Sequence, residues 1–399
     1  MGKIRPSAGR GPRCKRFLGA VPRQIGGSED CHQWTVADSR FSEAGVWERV
    51  DELIVKNHIQ TLVQRSGTNL SNGIVTSITE LLRQRTYIPD RLFDANPNIL
   101  IFNDKCLDLI TYCVVPHAQE HYATAKLSFD YDPAAQSAAW DSAVKLFPYP
   151  DFLQDFTGLC LTPETKYELA VWLHGPPGGG KSTFIVGLEA MLGPKCCTLG
   201  LAEISNSKFG LAQIPGKTLA VSAEQPAAFI KCADRLNGLI SGESTLVERK
   251  FHDAYAVTPR VKLLWAMNEL PIIPAGSGAG LFRRIYPVYW PSIPEGERDP
   301  SVKEQIANSG MAVVNWGLIG HKRVRERGGF DIPTELRAAR EAYREQSDTT
   351  LCFVEECYDS ISDLEVPAKD IYVSYQAWCV ANGHKGALAA NRFGGELER

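Results

Sequence analysis

The run Gly175-Pro-Pro-Gly-Gly-Gly-Lys181-Ser182-Thr183 narrows the possible folds more than anything else in this chain. It satisfies G-x-x-x-x-G-K-[ST]. An apolar segment, Ala170-Val-Trp-Leu, precedes it, and a helical stretch from Thr183 to Leu192, closed by Gly193-Pro194, follows it. In that context Gly175, Pro176, Pro177, Gly178, Gly179, Gly180, Lys181, Ser182 and Thr183 form a strand-to-helix turn. Glycines lacking Cβ atoms let its backbone N–H groups curl around phosphate, and the helix N-terminus adds a positive dipole. Lys181 is placed to reach the β and γ phosphates, and Ser182 to ligate Mg²⁺ through its hydroxyl. The turn predicts a bound nucleotide without naming an activity.

Three apolar extended segments, at 168–174, 217–222 and 260–267, alternate with helical or irregular stretches, which is the rhythm of an α/β sheet. The second ends in Ala223-Glu224-Gln225. Glu224 is the candidate carboxylate for the attacking water and for the metal, with Ala223 leaving only one acid there; a surface glutamate after a strand is the plainer alternative. The third ends in Asn268, an amide that can hold a water as donor and acceptor, or serve simply as a turn residue. Downstream, Gly278-Ala-Gly-Leu-Phe-Arg283-Arg284 presents adjacent guanidiniums, read either as a solvated pair or as an arginine finger reaching a neighbouring subunit's nucleotide. Between the second and third segments, Leu239 to His252 reads as a hairpin. Arg249, Lys250 and His252 beside Phe251 would there grip nucleic-acid phosphate, unless the segment is a plain edge hairpin with Phe251 in the core.

The rest of the chain divides around this core. Residues 1–33 carry seven Lys and Arg before the first acid at Glu29, among Gly and Pro, and read as a loose basic arm, either solvated or nucleic-acid-binding. Residues 34–150 read as a mixed, mainly helical accessory domain. Val46, Val50, Leu53 and Ile54 form one apolar stripe and Ile74, Ile78, Leu81 and Leu82 another, a hairpin turns at Asn103-Asp104, and a helix runs from Asp132-Pro133 through Val144. Residues 151–300 hold the nucleotide core, 301–348 a helical tail, and 349–399 a last amphipathic segment from Lys369 to Ala381. With 43 basic against 46 acidic residues the net charge is −3, so any nucleic-acid contact must be a local patch. Eleven scattered cysteines without a C-x-x-C argue against a zinc ribbon or a disulfide framework and read as reduced thiols. No apolar run approaches the roughly 18 residues of a membrane span, so a cytoplasmic protein is expected.

The order of these pieces resembles the C-terminal helicase half of phage and plasmid primase-helicases, the superfamily 3 branch that also holds poxvirus-type relatives. The resemblance takes in Asn98-Ile-Leu-Ile-Phe-Asn-Asp-Lys-Cys-Leu-Asp-Leu, Phe129-Asp-Tyr-Asp-Pro133 with Trp140, and Phe152 to Thr162. It continues through the phosphate-binding turn, Leu239 to Lys250, Val261 to Pro271, the Arg283-Arg284 pair, Asn315-Trp-Gly and Tyr343 to Asp348, over residues 85–395. It implies a P-loop NTPase core of AAA+-like, superfamily 3 type, driven by ATP with Mg²⁺. The whole would be a hexameric homo-oligomer that moves on single-stranded DNA and unwinds forked DNA beside a separate primase or polymerase. Lys181 and Ser182 would bind nucleotide and metal, Glu224 would act on water, and Asn268 would be the sensor. Arg283 or Arg284 would act in trans, and Arg249 and Lys250 would lie on a central-channel hairpin. The end of the chain, Asp370 to Cys379 and Asn391 to Leu397, is similar to the first helices of a winged-helix module that stops before a wing. No paired acidic or zinc-binding priming motif precedes residue 85, so no priming activity is expected of this chain, and the truncated C-terminal module together with the N-terminal arm reads as an incomplete gene product. An ATP-dependent initiator or loader, or a small-molecule kinase, remains open; strand displacement separates the first from a helicase and DNA-stimulated hydrolysis the second.

Overall fold

A computed structural model describes residues 39–397 apart from 43, 68, 208, 227–229, 231, 249, 251–253, 272, 274–278, 348, 359–365 and 383–386. The basic arm 1–33, Arg249, Phe251 and His252 lie outside the described residues.

The first described elements depart from the helical stripe expected at Val46. Strands β1 (Ser39–Phe41) and β2 (Trp47–Arg49) pair antiparallel, and helix α1 (Glu52–Arg65) begins only after Asp51, whose carboxylate accepts the Leu53 N–H at 2.8 Å. Trp47 decides this. Its indole is 4 % exposed among Phe41, Phe93 and Tyr122 and donates to the Gln119 carbonyl at 3.0 Å, a burial that a continuous helix would break. Leu53 and Ile54 consequently face solvent, at 67 % and 53 % exposure. Helix α2 (Asn72–Arg85) packs its Val75 against Ile59 and Val63 of α1; Ile74, Ile78 and Leu82 flank that contact, while Leu81 is exposed.

Strands β3 (Ile99–Ile101), β4 (Cys106–Asp108) and β5 (Val114–Val115) form an antiparallel sheet in that order, turning at Asn103-Asp104. Helix α3 (Ala138–Val144) starts later than the sequence predicts. The Asp132 carboxylate accepts the Ala134 N–H and holds a turn, and Ser137 caps the helix. Helix α4 (Pro150–Cys160) is buried along almost its whole length.

The centre is a five-stranded, all-parallel sheet. Its strands are β6 (Ala170–His174), β7 (Cys196–Thr198), β8 (Leu219–Ser222), β11 (Lys262–Met267) and β12 (Ile285–Tyr289), in the spatial order β12-β6-β11-β8-β7. Residues of β8 and β11 are buried without a break, as strands covered on both faces must be. The two-residue period sorts their side chains. Val171, Leu173, Val221, Leu264 and Ala266 join one core with α4, α5 (Lys181–Leu192) and α10 (Gly310–Arg327). Ala170, Trp172, Ala220, Leu263 and Trp265 join another with α6 (Leu201–Asn206), α7 (Ala233–Ser241) and Tyr343 of α11 (Thr334–Ser347). Trp172 and Trp265 stack across adjacent strands at 5.5 Å.

Leu239 to Ser241 end α7 rather than opening a hairpin. Gly242, at φ +72°, turns the chain into β9 (Thr245–Val247), which pairs with β10 (Tyr255–Val257). Helix α8 (Ala279–Phe282) comes just before β12, and α9 (Val302–Ala307) follows the sheet. Helices α4 and α10 cross with their backbones in contact, through Gly158, Gly317 and Gly320; a Cβ on Gly320 would lie 2.1 Å from the Gln154 carbonyl oxygen. Asp155, 2 % exposed, fastens the same crossing by ion pairs at 2.6 Å to both Arg323 and Arg327. Helices α12 (Thr349–Cys357), α13 (Ala368–Ala381) and α14 (Ala390–Leu397) enclose a separate small core in which the Tyr375 and Phe393 rings stack at 4.3 Å. Among the described residues no helix is long and apolar enough to cross a membrane.

Candidate nucleotide site

The glycine-rich turn leaves β6 at His174 and enters α5 at Lys181, so it stands at the carboxyl edge of the parallel sheet. Gly175, Gly178 and Gly180 take φ of +134°, +79° and +94°, a region closed to most side chains, which is the local reason for the glycines. The turn is pinned from both sides. The Gly175 N–H donates to the Asn268 carbonyl at 3.1 Å, and the Trp290 N–H donates to the His174 carbonyl at 2.7 Å. Lys181 is 9 % exposed, and its ammonium donates to the carbonyls of Gly175 and Pro176 at 2.5 and 2.8 Å. Burial lowers its pKa from the ordinary lysine value, a penalty that a neighbouring phosphate would offset. His174 is pushed down to about 4 by burial and by Lys181, so it is neutral at pH 7.

The sequence expected strand ends to converge here. Glu224 follows β8 and Asn268 follows β11, the two strands next in line beyond β6, and both line one cavity of about 1280 Å³ with Lys181, Ser182 and Thr183. Gln225 holds Glu224's segment in place: its N–H donates to the Ala266 carbonyl at 2.8 Å, and its side-chain oxygen accepts the Leu201 N–H at 3.0 Å. The cavity runs on between α3, which contributes Ala138, Ala139 and Ser142 with Leu146 just beyond its end, and the segment 293–305. Neither wall was indicated by the sequence, because nothing in an alanine-rich helix or in Pro-Glu-Gly-Glu-Arg-Asp-Pro marks a ligand. Phosphate fits the turn by its glycine conformations and its buried ammonium. Among the described residues no group of three or more His, Cys, Asp or Glu gathers to hold a metal unaided. Mg²⁺ asks for no such cluster, since one or two protein oxygens together with phosphates suffice, and Ser182 and Glu224 are the available pair.

Trp290, just past β12, is another residue the sequence did not single out. Its indole N–H donates to the Gly179 carbonyl at 2.6 Å, and its ring is buried against Phe147 and Phe184. The Ile293 N–H reaches the Gly178 carbonyl at 3.3 Å. The phosphate turn therefore rests on the chain that leaves the sheet's edge strand.

The two adjacent arginines part company. Arg284 is 6 % exposed, ion-paired with Glu168 at 2.9 Å and bonded to the Gly280 carbonyl at 2.7 Å, so its guanidinium is held inside its own subunit and does not present itself to a neighbour. Arg283 keeps 65 % of its side chain exposed. Both precede β12, where the Arg284 carbonyl accepts the N–H of Ala170, the first residue of β6. The phosphate turn leaves from the other end of that strand, about 13 Å away at ~3.3 Å per residue. Arg283 is thus exposed at the edge of the sheet opposite the cavity. Lys250 is exposed in the turn joining β9 and β10.

Family comparisons agree with the ends of the chain. Residues 15–147 match a model described as D5 N terminal like, residues 345–399 one described as Poxvirus D5 protein-like, and residues 173–284, which contain the phosphate turn, a family of unknown function (DUF5906). No curated protein matches in sequence. Among solved structures, the A form of the NrS-1 C-terminal region has a TM-score of 0.49 at 11% identity, over 76% of this chain and 68% of that one. An apo structure of the same region gives 0.48 at 13% identity, over 79% and 71%. Matches to two D5-type models thus flank the stretch that carries the phosphate turn, and in this the chain is similar to the D5-type primase-helicases of phages and poxviruses.

Proposed function

We propose that this chain is the ATP-driven DNA helicase motor of a phage- or plasmid-type replication system, with a P-loop NTPase core of the superfamily 3 type. One observation carries the reading: Lys181 and Ser182 on the phosphate turn, Glu224 at the end of β8 and Asn268 at the end of β11 line a single cavity at one edge of the sheet. Hydrolysis needs a group for the phosphates, a carboxylate for the water and a polar group to fix that water, and these are the three. Lys181 leaves the carbonyls of Gly175 and Pro176 for the β and γ phosphates. Glu224 orients and polarises the attacking water, and the Asn268 side chain accepts and donates to hold it in line. Ser182 and Glu224 would hold Mg²⁺, which would supply charge neutralisation for the phosphates.

Arg283 is the finger of this scheme and Arg284 its buried support, so the active unit is a ring of like chains, a hexamer, in which each subunit completes its neighbour's site. The β9–β10 hairpin, with Arg249, Lys250 and His252, faces single-stranded DNA in the channel, and a separate primase or polymerase works beside the ring.

Hydrolysis of ATP by the purified chain, with and without single-stranded DNA and with Lys181→Ala as the blank, tests the reading. Hydrolysis that DNA stimulates and the substitution abolishes is expected. Hydrolysis indifferent to DNA refutes a DNA motor and brings a phosphotransferase forward.

A further inference from the structure

The cavity holds a second arginine that no part of this scheme uses. Arg298 lies in the loop 291–300, beyond the sheet's edge strand, and lines the cavity with Lys181, Glu224 and Asn268. Its guanidinium lies over the phosphate turn itself: a Cβ built on Gly178 would be 2.5 Å from the Arg298 Cζ, 2.6 Å from Nη2 and 2.8 Å from Nη1. Three such similar distances mean that the planar group is laid face-on against Gly178. The glycine, at φ +79°, is what gives it room.

The arm is positioned from behind. Arg298 Nε donates to the Ile293 carbonyl at 2.8 Å, and the Ile293 N–H donates to the Gly178 carbonyl at 3.3 Å. Nε is therefore spent on orientation. Nη1 and Nη2 have no hydrogen bond or ion pair among the described residues, although Glu297 and Asp299 flank the residue. Asp299 is occupied elsewhere, accepting from both the N–H and the hydroxyl of Ser301 at 2.8 and 2.7 Å, just ahead of α9. Four N–H bonds on a fixed fork, uncommitted and laid over a phosphate-binding turn, match phosphate oxygens in geometry as well as in charge.

We infer that Arg298 is a nucleotide-binding residue that donates, within its own subunit, to the terminal phosphates of the nucleotide held on the turn. The inference rests on the nucleotide-driven reading and extends it. The phosphates are gripped from two sides by one chain, by Lys181 from beneath and by Arg298 from above. Because Arg298 belongs to the segment that runs into α9 and α10, the grip also ties nucleotide occupancy to the helices packed on the sheet. Arg298 differs in this from Arg283, which stands at the far edge of the sheet and serves another subunit.

The test measures binding of ATP, ADP and AMP to the full chain and to Arg298→Ala and Arg298→Lys, alongside the thermal midpoint of each without nucleotide. A charge-assisted hydrogen bond is worth about 1.5–3 kcal/mol, so Arg298→Ala should weaken ATP and ADP by roughly ten- to a hundredfold. AMP should be nearly unaffected, Arg298→Lys should recover part of the loss, and the midpoint without nucleotide should not move, since the side chain is exposed. Equal ATP affinity in Arg298→Ala and the parent overturns the inference and leaves the nucleotide reading standing. Equal losses for ATP and AMP also overturn it, because they would mean a distorted cavity rather than a lost phosphate contact. A parent chain that binds no ATP at all refutes the nucleotide reading itself, and the inference with it.

Discussion

Replacing Gly320 with alanine pits two effects of opposite sign against each other. In an exposed helix the change is favourable by about 1 kcal/mol, because alanine restricts the unfolded chain and suits the helix. Here the new Cβ would sit 2.1 Å from the Gln154 carbonyl oxygen, 2.4 Å from its carbon and 2.7 Å from the Asp155 nitrogen, against an ordinary contact beginning at 3.4 Å. All three atoms are backbone, so no rotamer change relieves the clash and α4 and α10 must part by roughly 1 Å. Overpacking of this kind costs about 1–3 kcal/mol, and the upper end applies when backbone has to move. Separation also stretches the 2.6 Å ion pairs of Asp155 with Arg323 and Arg327. The balance is a net loss of about 2 kcal/mol, or a fall of roughly 4–8 °C in the thermal midpoint at ~2–4 °C per kcal/mol. Gly158→Ala, 2.4 Å from the His321 nitrogen, should behave alike, whereas Gly317→Ala comes closest to the Thr157 methyl, at 3.0 Å, with backbone no nearer than 3.4 Å, and should be near neutral. Melting curves of the three variants decide. A raised midpoint for Gly320→Ala, or a larger fall for Gly317→Ala than for Gly320→Ala, would refute the argument that these glycines exist for backbone contact.

Lys262, 3 % exposed at the start of β11, is pushed by burial down to about 7 from 10.5. The unfolded chain therefore binds more protons between pH 7 and 10, and stability contributed by this residue rises across that window by at most about 1.4 kcal/mol per pH unit. Urea titrations of Lys262→Met should show its advantage over the parent shrinking as pH goes from 7 to 10; a constant difference would mean the amine does not titrate there. Trp290→Phe keeps the ring contacts with Phe147 and Phe184 and loses the bond to the Gly179 carbonyl. Its apparent ATP affinity should drop about three- to tenfold with little change in melting, the equivalent of one hydrogen bond. Arg283→Ala and Lys181→Ala should each abolish hydrolysis alone. Mixed, they should regain part of it, because a Lys181→Ala subunit still offers its Arg283 to an Arg283→Ala neighbour; no recovery in mixed oligomers would count against a finger in trans.

What the sequence made legible follows from how short-range its signals are. The phosphate turn was readable because its glycines answer a local backbone demand. The strands around Trp172, Val221 and Leu264 were readable because a sheet covered on both faces needs unbroken apolar runs. Asn268 and Glu224 could be placed at strand tips, since a strand's end is a local event. Where tertiary burial governed, the reading failed. Val46 and Val50 looked like a helix stripe until the burial of Trp47 set a strand there, and Asp51, an ordinary N-cap, was the local sign that was passed over. Glu168, more than a hundred residues earlier, ion-pairs with both Arg283 and Arg284, at 3.6 and 2.9 Å, and only packing buries the second and leaves the first exposed; two adjacent arginines carry no trace of that. Arg298 and the α3 wall become parts of a site only through folding, and Arg298 sits in a loop whose composition reads as solvent-exposed.

The central claim is that nucleotide turnover in the cavity lined by Lys181 drives DNA strand separation. Its most direct measurement is displacement of a labelled strand from a forked duplex by the purified chain with ATP and Mg²⁺, in parallel with Lys181→Ala. The account predicts displacement that requires ATP and vanishes with the substitution. A chain that hydrolyses ATP in a DNA-stimulated way yet leaves the fork paired would contradict it, and would make the protein an ATP-dependent loader rather than a helicase.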